Sequence, residues 1–192
     1  FVVGGRVIGL VAPAGSLPAP KASVAKGARA VYVGVKEETN ARHFSGLNCR
    51  ETSVQQGIEY AKKKNVKLFV AINTYPQPKG WKTWQHAIDV SAGLGVDALI
   101  CADMGVMDYA TTQHPALKLH LSVQGSGTNA ESLAFYKNNF NIQRAVLPRV
   151  LSLKQVLQLA KRSPVDLEVF AFGSLFILAE GRCYLSSYLT DQ

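Results

Sequence analysis

The stretch from Lys67 to Asp103 reads KLFVAINTYPQPKGWKTWQHAIDVSAGLGVDALICAD, and it contains the pattern that decides the fold. Two short apolar runs, Lys67–Asn73 and Ala98–Asp103, predict buried strands. Between them, Trp81–Leu94 has the periodicity of a helix. Two strands joined by a helix are expected to lie parallel, because parallel neighbours need a long crossover connection.

The same alternation of strands and helices runs through the rest of the chain. The predicted strands are Val7–Ala12, Ala30–Val35, Lys67–Asn73, Ala98–Asp103, Lys118–Gln124, Arg144–Pro148 and Leu167–Phe172. The predicted helices are Leu17–Lys26, Glu51–Asn65, Trp81–Leu94, Val106–His114, Ala130–Phe140 and Leu153–Arg162. An open doubly wound sheet and a (β/α) barrel both fit this α/β pattern, and the near-constant repeat favours the barrel. Because a complete barrel has eight units, we expect a parallel, incomplete TIM-type barrel of about seven βα units, in a single domain over residues 1–192.

Composition excludes several classes of protein. The chain has 192 residues and is 47% hydrophobic, which excludes an intrinsically disordered segment. No apolar run approaches the ~18 residues of a membrane-spanning helix, and the apolar start is expected to form a strand rather than a secretion signal. The 3 cysteines are too sparse for a disulfide framework and favour a reducing compartment. We therefore expect a cytoplasmic protein, with the mitochondrial matrix as the alternative.

The charge balance is basic, with 21 Lys and Arg against 13 Asp and Glu and a formal net charge of +8. Such a balance permits binding to nucleic acid, to an anionic membrane or to an acidic partner. The basic run Lys62–Lys64 falls late in a predicted helix, where cations complement the negative helix end, so a solvated face is the simpler interpretation. No stripe of interleaved basic and aromatic residues is visible, and charge alone does not select a partner.

Polar residues follow most of the predicted strands, where the active site of a parallel barrel is built. The candidate catalytic residues at these positions are Asn73, Asp103, Gln124, Arg149 and Arg182, and the candidate binding residues are Ser16, Arg42 and His43. Ser16 fits either an anion-binding turn or a helix cap. Asp103 fits a general base, a metal ligand or a cap equally well.

Other residues and motifs give a weaker signal. His120 alternates with Leu119 and Leu121 in a predicted strand, so a satisfied core or barrel histidine is favoured over a ligand. The sequence contains no CxxC, HExxH, GxSxG or GxxxxGK[ST] motif. Standard zinc, hydrolase and P-loop interpretations therefore have no support.

Several longer motifs resemble a known family. They are Ala12–Leu17, Thr39–Phe44, Ala71–Thr74, Gly95–Ile100, Leu119–Gln124, Arg144–Leu153 and Glu168–Thr190. Over nearly its whole length the chain resembles the UbiU family, within the collagenase-like U peptidases, whose relatives include RNA-hydroxylation proteins. The resemblance implies a barrel-type fold and a part in oxygen-independent hydroxylation of the ubiquinone ring. It also implies a heteromer with a UbiV-like protein, acting alongside a lipid-binding UbiT-like protein.

The same resemblance implies a [4Fe-4S] cluster, and here the chain departs from the family pattern. The first expected cysteine is replaced by Phe176, the second is Cys183, and the other two would fall beyond the end of the chain. Four thiolates normally hold such a cluster. We therefore expect a chain that is truncated relative to the family, with Cys183 as the lone family ligand and no cofactor of its own.

Three hypotheses about function follow, and whether the chain is an enzyme stays open between them. The first is a UbiU-like component of ubiquinone-ring hydroxylation, with a lost iron–sulfur site. The second is a non-catalytic subunit of a larger complex, in the cytoplasm or in mitochondria. The third is an RNA-binding or RNA-modifying relative. Where a chemical function remains, Arg149 and Arg182 are expected to hold a carboxylate or phosphate through charge-assisted hydrogen bonds.

Overall fold

The structure is a computed structural model, and it describes the backbone of residues 2–3, 6–14, 18–34, 39–40, 51–173, 178–179 and 182–183. Side chains are described for residues 8–14, 21–34, 39–40 and 56–173. The predicted binding residues Ser16, Arg42 and His43 lie outside these ranges, as does Phe176. For Arg182 and Cys183 the backbone alone is described.

The chain alternates strands and helices along most of its length. The strands are β1 Val2–Val3, β2 Arg6–Val7, β3 Val11–Pro13, β4 Ala30–Gly34, β5 Lys67–Ile72, β6 Ala98–Cys101, β7 Leu119–Leu121, β8 Ile142–Val146, β9 Asp166–Glu168, β10 Leu178–Ala179 and β11 Arg182–Cys183. The helices are α1 Pro18–Ala25, α2 Glu51–Lys63, α3 Trp81–Leu94, α4 Met104–Gln113, α5 Ala130–Phe140 and α6 Leu153–Arg162. Two 3₁₀ turns, Pro78–Gly80 and Val123–Gly125, precede α3 and follow β7.

Seven parallel strands follow one another in chain order, from β3 to β9. This is the strand order of a (β/α) barrel with fewer than its eight strands, so the predicted fold class is confirmed. Two short antiparallel pairs, β1 with β2 and β10 with β11, form separate two-stranded sheets.

The first compact unit spans Phe1–Ile100. Leu68 of β5 lies against α2, because a Cβ added at Gly57 of that helix would stand 3.4 Å from a Leu68 methyl carbon. Side chains alternate across a strand, so Phe69 and Ala71 point to the opposite face, which we call the inner face of this unit. That face is apolar. Its core cluster consists of Ala30, Phe69, Ala71, Ala98 and Ile100, with Val11 and Tyr32 packed against it.

The second compact unit spans Cys101–Gln192, and side chains cap the starts of its helices. Asn129 accepts a hydrogen bond from the Ser132 amide at 2.8 Å at the start of α5. Ser152 and Gln155 form a reciprocal capping box at the start of α6. Such caps satisfy amides that the first helical turn leaves without partners.

Most predicted strands differ from the structure at one or both ends, and two of these differences affect the interpretation of the chain. The segment Val7–Ala12 divides between β2 and β3, and Gly9 lies in the gap, where a residue without a side chain weakens a strand. The last predicted strand, Leu167–Phe172, ends early at Glu168, so Phe170 and Phe172 belong to the segment that follows β9. Within the described part of the chain, no helix is long and apolar enough to cross a membrane.

Candidate functional site

The candidate site is built on the three parallel strands β7, β8 and β9 of the second unit. Residues that follow these strands come to the same edge of the sheet, because parallel neighbours end on the same side. This edge holds two predicted site residues, Gln124 after β7 and Arg149 after β8. The side chains on the strands themselves decide what the site can do.

Leu121 identifies which face of these strands is covered by a helix. A Cβ added at Gly127 would stand 2.7 Å from a Leu121 methyl carbon and 2.8 Å from one of Leu133 in α5, so the two leucines pack together beneath this glycine. His120 therefore points to the opposite face, the inner face of this unit. It is buried, with 6% of its surface exposed.

A shift in strand pairing places Arg144 beside His120. Leu119 pairs with Ile142, whereas His120 pairs with Arg144, which skips one residue of β8. Had the first register continued, Leu121 would pair with Arg144, and the guanidinium would be on the helix-covered face. Irregularities of this kind redirect side chains and are common beside active sites.

Two carboxylates of β9 complete this arrangement. Arg144 lies 3.5 Å from Glu168 (Nη1 to Oε2) and 3.7 Å from Asp166 (Nη2 to Oδ2). We call the four residues His120, Arg144, Asp166 and Glu168 the polar row. Side-chain exposure is 27% for Arg144 and 20% for Glu168, so both groups are half-buried and still accessible.

Burial affects the acid–base behaviour of Glu168. It raises the pKa of this carboxyl group above its usual value, and the nearby Arg144 guanidinium partly offsets the rise. A carboxyl group in such surroundings exchanges protons closer to neutral pH than an exposed glutamate does. Groups of this kind concentrate at functional sites, although structural ion pairs show similar shifts.

The loop after β7 is held tightly against its surroundings. The Ser122 amide donates to the Cys101 carbonyl at 2.7 Å. A Cβ added at Gly125 would stand 2.6 Å from a Leu121 methyl carbon, so a side chain there would displace the buried Leu121. The Tyr136 hydroxyl donates to the Gly125 carbonyl at 3.4 Å. Gln124 is thus carried on a fixed turn at the carboxyl edge.

Asp103 is a helix cap, one of the roles that the sequence allows. Its Oδ1 accepts the Val106 amide at 3.0 Å at the start of α4. Its charge also reaches Tyr136, whose pKa is raised by burial first and by Asp103 second. This carboxylate therefore lies close to the tyrosine that supports the β7 loop.

Arg149 is half-buried and stacks on an aromatic ring. Its guanidinium carbon lies 3.5 Å from the centroid of Phe170, which follows β9. A cation over the face of a ring is attracted by the ring quadrupole, and the planar guanidinium also stacks. Arg149 is therefore held in a defined position at the carboxyl edge.

Asn73 follows β5 in the first unit, and it is described separately. Its amide donates to the Thr39 carbonyl at 2.9 Å. The neighbouring Asn40 side chain packs directly on Gly34 at the end of β4, where any Cβ would collide with the amide. These contacts join the ends of two strands, so Asn73 has a defined structural role.

The polar row was not identified as a site from the sequence, which placed His120 in the core and gave no role to Arg144 or Glu168. One signal was available: charged residues stand at alternate positions within strands that are otherwise apolar. Period-two placement of this kind puts them on one face.

The described residues do not fit an iron–sulfur cluster. Cys101 is completely buried, and burial with the nearby charge of Asp103 raises its pKa to about 12. It is the one cysteine whose side chain lies in the described ranges, whereas four thiolates normally hold such a cluster. Among the described side chains, no group of three His, Cys, Asp or Glu residues is placed to hold a metal ion.

Comparison with known proteins gives a consistent result. The family model of peptidase family U32 matches residues 15–192. The chain is 35% identical over 191 residues to an uncharacterized protease of Methanocaldococcus jannaschii, covering 95% of this chain and 45% of that protein. It is 34% identical over 180 residues to tRNA hydroxylation protein P of Helicobacter pylori, covering 93% of this chain and 42% of that protein. The chain thus spans less than half the length of these relatives.

A solved structure supports the fold. The structure of the U32 peptidase Mk0906 aligns with a TM-score of 0.71 and 16% sequence identity, over 88% of this chain and 70% of that one. At this level of identity the similarity establishes the architecture alone.

Proposed function

This chain belongs to peptidase family U32, and from that membership we propose that it serves RNA hydroxylation by holding the nucleoside that is modified. The polar row carries the proposal, because it places half-buried donors and an acceptor on the inner face of a barrel-type fold. A relative that matches 93% of this chain is named a tRNA hydroxylation protein. The net charge of +8 favours a polyanionic partner.

The chemistry of the polar row suits a nucleobase. Bases present both carbonyl acceptors and N–H donors, so a binding site needs groups of both kinds. Arg144 donates through a planar guanidinium, and Glu168, when ionised, accepts. The ion pair between them fixes both side chains before a ligand arrives, which reduces the entropy lost on binding.

Proteolysis, the activity implied by the family's name, has less support. A cysteine protease needs a thiolate close to a general base. Cys101 is completely buried, and burial together with the nearby charge of Asp103 raises its pKa. It is therefore unsuited to act as a nucleophile.

The proposal is tested by comparing two glutamine variants in the source organism. In Glu168→Gln the side chain keeps its size and loses its charge, and we expect hydroxylated tRNA nucleosides to fall at least about tenfold, as for loss of a charge-assisted contact. In the control, Glu131→Gln, the lost ion pair with Arg162 is solvent-exposed on α5, and no change is expected. The measurement is mass spectrometry of nucleosides from purified tRNA.

The ubiquinone role is a second candidate, favoured by the motifs Leu119–Gln124 and Arg144–Leu153, which contain residues of the polar row. Here the chain would act with UbiV-like and UbiT-like partners. Quinone extracts from the same cells, grown without oxygen, distinguish the two. If Glu168→Gln cells lose hydroxylated quinone and keep hydroxylated tRNA, the second role is supported. If they lose neither product, both roles are contradicted and a structural subunit is left.

We further propose that this chain holds no [4Fe-4S] cluster by itself. Its 3 cysteines are fewer than the four thiolates that such a cluster normally requires. After anaerobic reconstitution with iron and sulfide, we expect no stoichiometric iron and no cluster absorbance. Iron that binds in the unchanged chain and is lost in Cys183→Ser would contradict the proposal.

A further inference from the structure

An arginine and two phenylalanines follow neighbouring strands at the carboxyl edge of the second unit. Arg149 comes after β8, and Phe170 and Phe172 come after β9. The guanidinium of Arg149 covers the Phe170 ring at 3.5 Å. We call these three residues the stacking surface.

Phe172 is the unusual member of this surface, because it is 100% exposed. Single exposed apolar residues are common, but Phe172 stands two positions after Phe170, the ring on which Arg149 stacks. Val169, 53% exposed, stands three residues before it. The following Gly173 has a φ of +137°, a conformation that glycine adopts readily and other residues avoid.

We propose that the stacking surface binds unpaired bases of RNA. The inference rests on the proposed function, since it names the part of the RNA that flanks the held nucleoside. Proteins bind single-stranded nucleic acid through aromatic rings on which bases stack, together with cationic groups that attract the backbone. Arginine planes and phenylalanine rings are both used for this purpose in RNA recognition.

The composition of the surface favours RNA over a protein partner. A permanent cation next to aromatic rings suits a ligand that carries both planar rings and negative charge. The chain's net charge of +8 attracts a polyanion over longer distances. An unpaired base satisfies both features, because it offers a planar ring next to a phosphate.

The test measures binding of the complete chain to three short RNAs of equal length: single-stranded, abasic and duplex. We expect the single strand to bind about tenfold more tightly than the abasic strand, as for stacking of one or two bases. In Phe172→Ala this advantage should disappear, because the variant lacks the ring on which the bases of the intact strand stack. The abasic strand has no bases to stack, so its affinity should change little. In Arg149→Lys affinity should fall while the salt dependence stays the same, because the charge is kept and the planar stack is lost.

The matched control is Phe135→Ala, which removes a ring that is 48% exposed on α5 and that contacts the rings of Tyr136 and Phe140. It should leave the base-dependent advantage unchanged. Equal affinity of wild type for intact and abasic RNA would overturn the inference. So would unchanged RNA binding in Phe172→Ala, and in that case loss of a co-purifying protein would identify a protein interface instead.

Failure of this inference and failure of the proposed function give different results. If bases contribute to binding but Glu168→Gln leaves tRNA hydroxylation intact, the stacking surface stands and the assigned role of the polar row is wrong. If Glu168→Gln abolishes hydroxylation but bases contribute nothing to binding, the assigned role of the polar row stands and the stacking surface is wrong.

Discussion

The inner faces of the two units are built on the same alternation of strand and helix, yet their side chains differ in kind. In the first unit the face consists of alanine, isoleucine and aromatic side chains, with Phe69 at 2% exposure. In the second unit it holds His120, Arg144 and Glu168. Arg144 forms ion pairs with Glu168 and with Asp166. Apolar burial stabilises a fold, whereas burial of polar groups opposes it unless they are paired. The first face therefore contributes mainly to stability, and the second holds the groups to which the proposed function assigns ligand binding.

Truncation of a side chain on the apolar inner face is the strongest test of this difference between the two units. Phe69→Ala should lower the free energy of unfolding by about 4 kcal/mol, because it removes a buried ring and leaves a cavity. Urea denaturation followed by circular dichroism measures the loss. Phe135→Ala, in which the ring is half-exposed, should cost less than about 1 kcal/mol. A similar loss in both variants would show that the inner face of the first unit is not the principal core.

Truncation in the polar row should lower the free energy of unfolding by less than Phe69→Ala does, and the loss should depend on pH. Arg144→Met removes the guanidinium and leaves Glu168 half-buried without its cation, at a cost of about 1–2 kcal/mol near neutral pH. Because burial raises the pKa of Glu168, the folded state is favoured by protonation, and this contribution is lost as the pH rises through the folded pKa. Without Arg144 that pKa should rise further.

The difference between Arg144→Met and wild type should therefore shrink as the solution is acidified, because a protonated Glu168 no longer needs the cation. Thermal unfolding at several pH values measures this trend. Lys154→Met serves as the control for loss of a cation, since Lys154 is exposed on α6. A cost for Arg144→Met that is constant with pH would show that Glu168 is not the group affected.

These two faces also differ in how far the sequence predicts them. The bounds of α3, α5 and α6 match the sequence pattern to the residue, because helical periodicity and caps such as Asn129 are local signals. The apolar face follows from the same periodicity. The polar row does not, because it depends on a pairing shift between Leu119 and His120 that two distant strands determine together.

The candidate site shows the same division between local and non-local information. Gln124 and Arg149 were predicted from their positions after strands, and the structure places both at the carboxyl edge. The stack of Arg149 on Phe170 was not predicted, since the segment after β9 had been assigned to the strand itself. Where a strand ends is set by its neighbours, so contacts beyond that end are hard to read from one sequence.

The smallest expected effect separates the capping role of Asp103 from the chemical roles that the sequence allows for it. As a cap, it accepts the Val106 amide through one oxygen, and an asparagine oxygen can accept the same bond. Asp103→Asn should therefore change the free energy of unfolding by less than about 0.5 kcal/mol, whereas Asp103→Ala should cost about 1 kcal/mol. Hydroxylation of tRNA should survive in Asp103→Asn. If it is lost while stability is retained, the negative charge of Asp103 has a chemical role, and the functional region extends from the polar row to the start of α4.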